Sequence, residues 1–175
     1  DRSEQIVRHF VDTAGIEPVE RLRASFSSLN PRAKVVEAAS PITLDAPELV
    51  AGRRVLVIED GPTVTHGEMP FGAGAVAARK LGATFADPRP HAQGSLGDVY
   101  KAYPHLGPVL PAMGYGKKQI EELAQTIARV PCDAVVIATP VDLRRLIAIE
   151  KPSTRVRYDL QEIGRPTVAD LLPRF

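Results

Sequence analysis

The chain has 175 residues, 44% of them hydrophobic and 25% charged, which is enough apolar surface for one good core or two small ones sharing a face. A net charge of +1, no tryptophan and few other aromatics provide neither a basic field for a polyanion nor stacking platforms for single strands, so the composition argues against a nucleic-acid partner. One cysteine, Cys132, excludes an internal disulfide and a cysteine-rich zinc site, and its residue type and place suit a small buried side chain before a strand.

No apolar run approaches the roughly 18 residues that span a bilayer, and the N-terminus has no signal-peptide anatomy, so the expected location is the cytoplasm, with no membrane partner. The chain opens at Asp1 without a methionine and runs almost at once into apolar residues, which suggests a piece of a longer protein.

Strands and helices alternate along the chain, the pattern of a mostly parallel sheet covered by helices. Residues 5–7 form a weak first strand, and residues 17–29 a helix with Pro18 in its first turn and Val19, Leu22, Phe26 and Leu29 at helical spacing. Residues 34–38 return as a strand, and the Pro-containing crossover 40–52 is the expected boundary between a unit at 1–50 and a unit at 51–175. A stronger strand, 54–59, enters a long loop, 60–70, and then an Ala-rich helix, 71–81. A short strand at 84–86, a helix at 95–103, a Pro- and Gly-rich loop at 105–116 and a helix at 117–129 follow. The apolar strand 134–138 suits a sheet covered on both faces. A short helical stretch at 142–146, a strand at 155–158 and a closing helix at 167–172, with Thr167 as its cap, complete the chain.

The stretch 60–70 carries the most chemistry. It leaves the carboxyl end of a strand and feeds a helix N-terminus, where open α/β sheets place their ligands and where exposed N–H groups favour an anion. Gly61, Gly67, Gly72 and Gly74 would let backbone approach a ligand, Thr63, Thr65 and His66 would donate hydrogen bonds, and Asp60 would orient a hydroxyl or a metal-bound water. The same placement singles out Thr139 after the strand 134–138. Arg144 or Arg145, on the short helix that follows, and Arg89, after the strand 84–86, add cationic candidates for a phosphorylated or otherwise anionic ligand. His66, His91 and His105 stand in separate loops without metal-ligand spacing, and no serine lies in a nucleophile elbow. Neither G-x-G-x-x-G nor G-x-x-x-x-G-K-[ST] occurs, so the chain by itself lacks a phosphate-binding loop for nucleotide hydrolysis.

The run EDGPTVTHGEMPFGAGAVAARKLGA, followed in order by DPRPHAQGS, YPHLGPVLPAMGYG, CDAVVIATPVDLRRLI and RVRYDLQEIGRPT, resembles the C-terminal region of predicted GTPases related to cyclic 2,3-diphosphoglycerate synthetase. That resemblance implies a Rossmann-like C-terminal α/β domain preceded by the last elements of a P-loop NTPase core. It implies GTP and Mg²⁺ for the whole protein, an upstream P-loop domain as partner, and nucleotide-base contacts from Asp12, Ala39 and Ser40. His9 and Phe10 stand where the family's guanine-reading motif has Asn and Lys. The expectation is thus a C-terminal GTPase part that binds a small phosphorylated or anionic ligand at the loop after the strand 54–59. The rival is a non-catalytic binding or oligomerisation module that uses the Pro-, Leu-, Val- and Met-containing run 103–115 as a contact surface. A free-standing dehydrogenase is disfavoured by the missing glycine fingerprint.

Overall fold

The computed structural model describes residues 5–10, 15–66 and 69–172, for 5–10 as backbone. In chain order its strands and helices are β1 (Gln5–Phe10), α1 (Ile16–Leu29), β2 (Lys34–Ala39), β3 (Ile42–Leu44), β4 (Arg54–Asp60), α2 (Gly61–His66), α3 (Ala73–Lys80), β5 (Thr84–Phe85), α4 (Ser95–Ala102), β6 (Leu110–Ala112), α5 (Lys117–Arg129), β7 (Ala134–Ala138), β8 (Ser153–Tyr158), β9 (Gln161–Glu162) and α6 (Val168–Leu171). Short 3₁₀ turns lie at Pro47–Leu49, Arg89–His91 and Leu143–Arg145. The fold is α/β, with a mostly parallel central sheet flanked by helices.

Two compact units divide the chain, one of Asp1–Ile42 with Tyr158–Phe175 and one of Thr43–Arg157. In the first, β1 runs parallel to β2, and β9 pairs antiparallel with β2. Arg23 on α1 forks onto both oxygens of Glu37 on β2 at 2.8 and 2.7 Å. Thr167 and Asp170 cap each other's amides at the start of α6, as the sequence leads one to expect.

The second unit carries the sheet of order β3-β8-β7-β4-β5, with β6 beside the far end of β4. β4 runs parallel to β7 on one side; on the other it runs parallel first to β5 and then to β6. Burial on both sheet faces explains the unbroken apolar runs of β4 and β7. Side-chain alternation sorts these runs between two helical layers. Leu56, Ile58, Val135 and Ile137 share a cluster with Leu96 of α4 and with Leu123 and Ile127 of α5. Val57 and Ala138 have the other parity and meet the backbone of Gly74 in α3, where an added Cβ would come within 2.8 and 2.7 Å of them.

Three segments differ from the sequence expectation. The stretch 60–70 contains helix α2, because the Asp60 carboxylate accepts from the Thr63 N–H at 3.3 Å and Pro62 suits a first turn. The loop 105–116 contains β6, so Leu106, Val109, Leu110 and Ala112 are buried and form no exposed contact surface. The crossover 40–52 contains β3, held at the sheet edge beside β8. Among the described residues, no helix is long and apolar enough to cross a membrane.

Candidate functional site

β5 and β6 lie on one side of β4, whereas β7 and β8 lie on the other. The strand order therefore reverses between β4 and β7, and the crevice outside their carboxyl ends is where an open parallel sheet accepts a ligand. Glu59 stands opposite Ala138, so one step further along both strands brings Asp60 beside Thr139; on its other side Asp60 pairs with Ala112.

The amides expected to face a bound anion have an internal partner. Alternation turns Glu59 to the α3 face, where Oε1 accepts from Gly72 N at 3.1 Å and Ala75 N at 2.8 Å, and Oε2 accepts from Gly74 N at 3.3 Å. The favourable N-terminal end of α3 is thus occupied by the protein's own carboxyl group, only 2% exposed. Gly72 and Gly74 make room for that group and for the sheet: a Cβ on Gly72 would lie 2.6 Å from Glu59 Oε2. A Cβ on Gly61 would meet the Ala112 carbonyl at 2.5 Å, so this glycine too serves packing. Gly67 and Asp12 lie outside the described residues.

The remaining candidates separate in the same way. Thr65 is buried and its hydroxyl donates to the Gly61 carbonyl at 2.9 Å, an internal helix bond; His66 is exposed at the end of α2. Thr63 donates its hydroxyl to Asp60 Oδ2 at 2.8 Å. Thr139 is buried and donates to the Val141 carbonyl at 2.6 Å. Arg89 is forked onto Asp87, with Nε at 2.9 and 3.0 Å from the two carboxylate oxygens, and Arg144 is forked onto Asp142 at 3.0 and 2.9 Å. Each fork is local, because an aspartate two residues earlier also accepts the arginine's own amide. These two side chains are therefore committed within the protein, while Arg145 is exposed on the 3₁₀ turn. Ala39 and Ser40 end β2 and begin the next connection, in the first unit.

Three groups at the crevice escape the sequence reading. Tyr115 lies close enough to Asp60 and Thr139 to respond to both: partial burial raises its phenol pKa and the Asp60 charge adds to the rise, while a Thr139 hydrogen bond opposes it. Arg155 on β8 donates to the carbonyls of Thr139 and Pro140 at 3.2 and 3.1 Å and stands 4.0 Å from Asp142. Glu59 itself was legible only as a strand end. Burial pushes its carboxyl up to about 7, against the pull of the Ala75, Gly74 and Gly72 amides; the Asp60 charge adds to the rise.

Most aspartates of this unit have a cationic partner. Asp45 is paired with Arg157, Asp87 with Arg89, Asp98 with Lys101, and Asp142 with Arg144 and more distantly with Arg155; Asp133 accepts from the Arg54 amide. Asp60, at the switch point, has no arginine or lysine partner among the described residues; its Oδ2 accepts from the Thr63 amide and hydroxyl. Among the described residues no cluster of three metal-ligating side chains forms. A cavity of about 440 Å³ lined by Ile127, Ile147 and Ile149 opens beside the end of α5, toward the amino ends of the strands and away from Asp60.

The raised Glu59 pKa has a measurable consequence. In the fold Glu59 keeps a proton that the unfolded chain has already released above pH 4.5, so its contribution to stability is full below that value and is lost as pH rises through about 7. That window corresponds to about 3 kcal/mol in all. Urea unfolding at pH 5 and pH 8 should show the stability difference between wild type and Glu59→Gln shrinking at the higher pH by about 2 kcal/mol or more. Parallel pH curves would contradict the assignment.

No family model matches the chain. Over 174 residues, 99% of its length, the chain is 54% identical to the arginine synthetase ArcE of Thermococcus kodakarensis. It spans only 39% of that protein's length. This match overturns the expected kinship with GTPases related to cyclic 2,3-diphosphoglycerate synthetase, and with it the expected GTPase function: the similar protein is an arginine synthetase. The base-contacting roles of Asp12, Ala39 and Ser40 rested on that resemblance alone.

Proposed function

We propose that this chain is part of an arginine-forming enzyme, and that the carboxyl end of β4 holds the guanidinium group of arginine through Asp60. The observation that carries the reading is that Asp60, at the switch point, has no cationic partner among the described residues, whereas Asp142, which also follows the carboxyl end of a central strand, is held by Arg144. A guanidinium is planar, always charged, and donates in a fork that matches a carboxylate. Asp60 Oδ1 offers an acceptor, Thr63 fixes the other oxygen, and Tyr115 adds a phenol on the same rim. Occupation of the α3 amides by Glu59 argues for a cation here in place of an anion, because the donors an anion needs are taken. High identity to an arginine synthetase supports the same choice of ligand.

The test is thermal unfolding of the full-length protein with L-arginine, L-lysine, L-glutamate or inorganic phosphate. L-arginine should raise Tm, by an amount corresponding to about 2.7 kcal/mol at a hundred times its Kd, and L-lysine should raise it much less. A rise with phosphate and none with L-arginine would overturn the proposal.

A further inference from the structure

We infer that Glu59 is a positioning residue for the Asp60 site: by gripping the first amides of α3 it closes the excursion 60–72 back onto β4 and so fixes where Asp60 stands. The inference rests on the reading of Asp60 as the guanidinium partner. Its geometry is independent of that reading. The chain leaves the sheet at Asp60, immediately after Glu59, and enters α2; Gly72, just before α3, is bound through its amide by Glu59 Oε1 at 3.1 Å. One side chain thus joins the two ends of this stretch. The grip is close-packed, since a Cβ on Gly72 would sit 2.6 Å from Oε2, and one on Gly74 would sit 3.2 Å from Oε1. Two further bonds reach this stretch from the segment before β6: Gly107 N donates to the Pro70 carbonyl at 2.8 Å, and His105 Nε2 lies 3.0 Å from the Val64 carbonyl. None of these bonds uses the Asp60 side chain, whose Oδ2 accepts from Thr63, while its backbone is held beside Ala112.

A simple helix cap predicts loosening of α3 alone when Glu59 is changed; a positioning residue predicts loosening of α2 and weaker ligand binding as well. In the full-length protein, Glu59→Gln should weaken L-arginine binding about tenfold by calorimetry. It should also speed hydrogen exchange about tenfold in the peptide covering 60–65, besides that covering 72–75. Faster exchange at 72–75 with unchanged exchange at 60–65 and unchanged affinity would overturn the inference. If Glu59→Gln does not fold, Gly72→Ala serves, because it keeps the carboxyl group and displaces it; the same two changes are expected and their absence is equally decisive. If the wild type binds no L-arginine, the reading of Asp60 fails separately, and the exchange at 60–65 alone decides whether Glu59 positions the excursion.

Discussion

Asp60→Asn should lower the affinity of the full-length protein for L-arginine about 100-fold and leave its Tm within about a degree of wild type. Asparagine keeps the side-chain oxygen that accepts from Thr63 N and Oγ, so the start of α2 retains its cap. What disappears is one negative charge and the second acceptor of a fork. A charge-assisted pair in a partly screened crevice contributes about 2–3 kcal/mol, which sets the hundredfold expectation. Asp142→Asn provides the contrast. Asp142 is already occupied by Arg144, and its loss should leave L-arginine affinity within about threefold while freeing an arginine near the same rim. Equal affinity of wild type and Asp60→Asn, measured by calorimetry at fixed salt, would remove Asp60 from the site.

The largest stability effect is expected at Gly74. Alanine there places a methyl group 2.7 Å from the Ala138 Cβ and 2.8 Å from Val57 Cγ1, where the first turn of α3 rests directly on β4 and β7. Neither contact is the flexible end of a long side chain, so α3 must move, and Glu59 then loses its bonds to the Gly74 and Ala75 amides. Overpacking of this kind costs about 1–3 kcal/mol, and leaving buried acceptors and donors poorly paired adds to it, so a loss of about 3 kcal/mol or more in urea unfolding is expected. Gly82→Ala is a useful companion, because that glycine meets no atom within 4 Å and its φ of +69° imposes only a backbone cost, about 1 kcal/mol. Similar losses at the two positions would show that Gly74 is conformational and has no packing role.

Much of the second unit was readable because its signals are local and redundant. The apolar runs 55–58 and 134–138 are short and rich in β-branched residues, which suits strands covered on both faces, and α5 shows its helical period over 13 residues. The strand end at 59–60 was also legible, since a strand feeding a helix is visible in sequence; the internal partner of the amides that follow was not. Whether the amides at 72–75 face a ligand or a side chain depends on the parity of Glu59, and a strand with five consecutive buried residues carries no alternation from which to read it. Likewise Arg89 and Arg144 look available in sequence, and the Asp-x-Arg spacing at 87–89 and 142–144 is the signal that each already has a carboxylate. β6 was hidden because a three-residue strand containing Pro111 has no pattern of its own; only its pairing with β4 defines it. The return of residues 158–175 to the first unit is a long-range pairing with no local signal, set by two residue pairs between β2 and β9.

A crystal structure of the full-length protein grown with L-arginine locates the ligand directly. The guanidinium nitrogens should stand about 3 Å from the Asp60 carboxylate, outside the ends of β4 and β7, with the Tyr115 hydroxyl on the same rim. L-arginine bound elsewhere, with Asp60 facing only solvent, would contradict this.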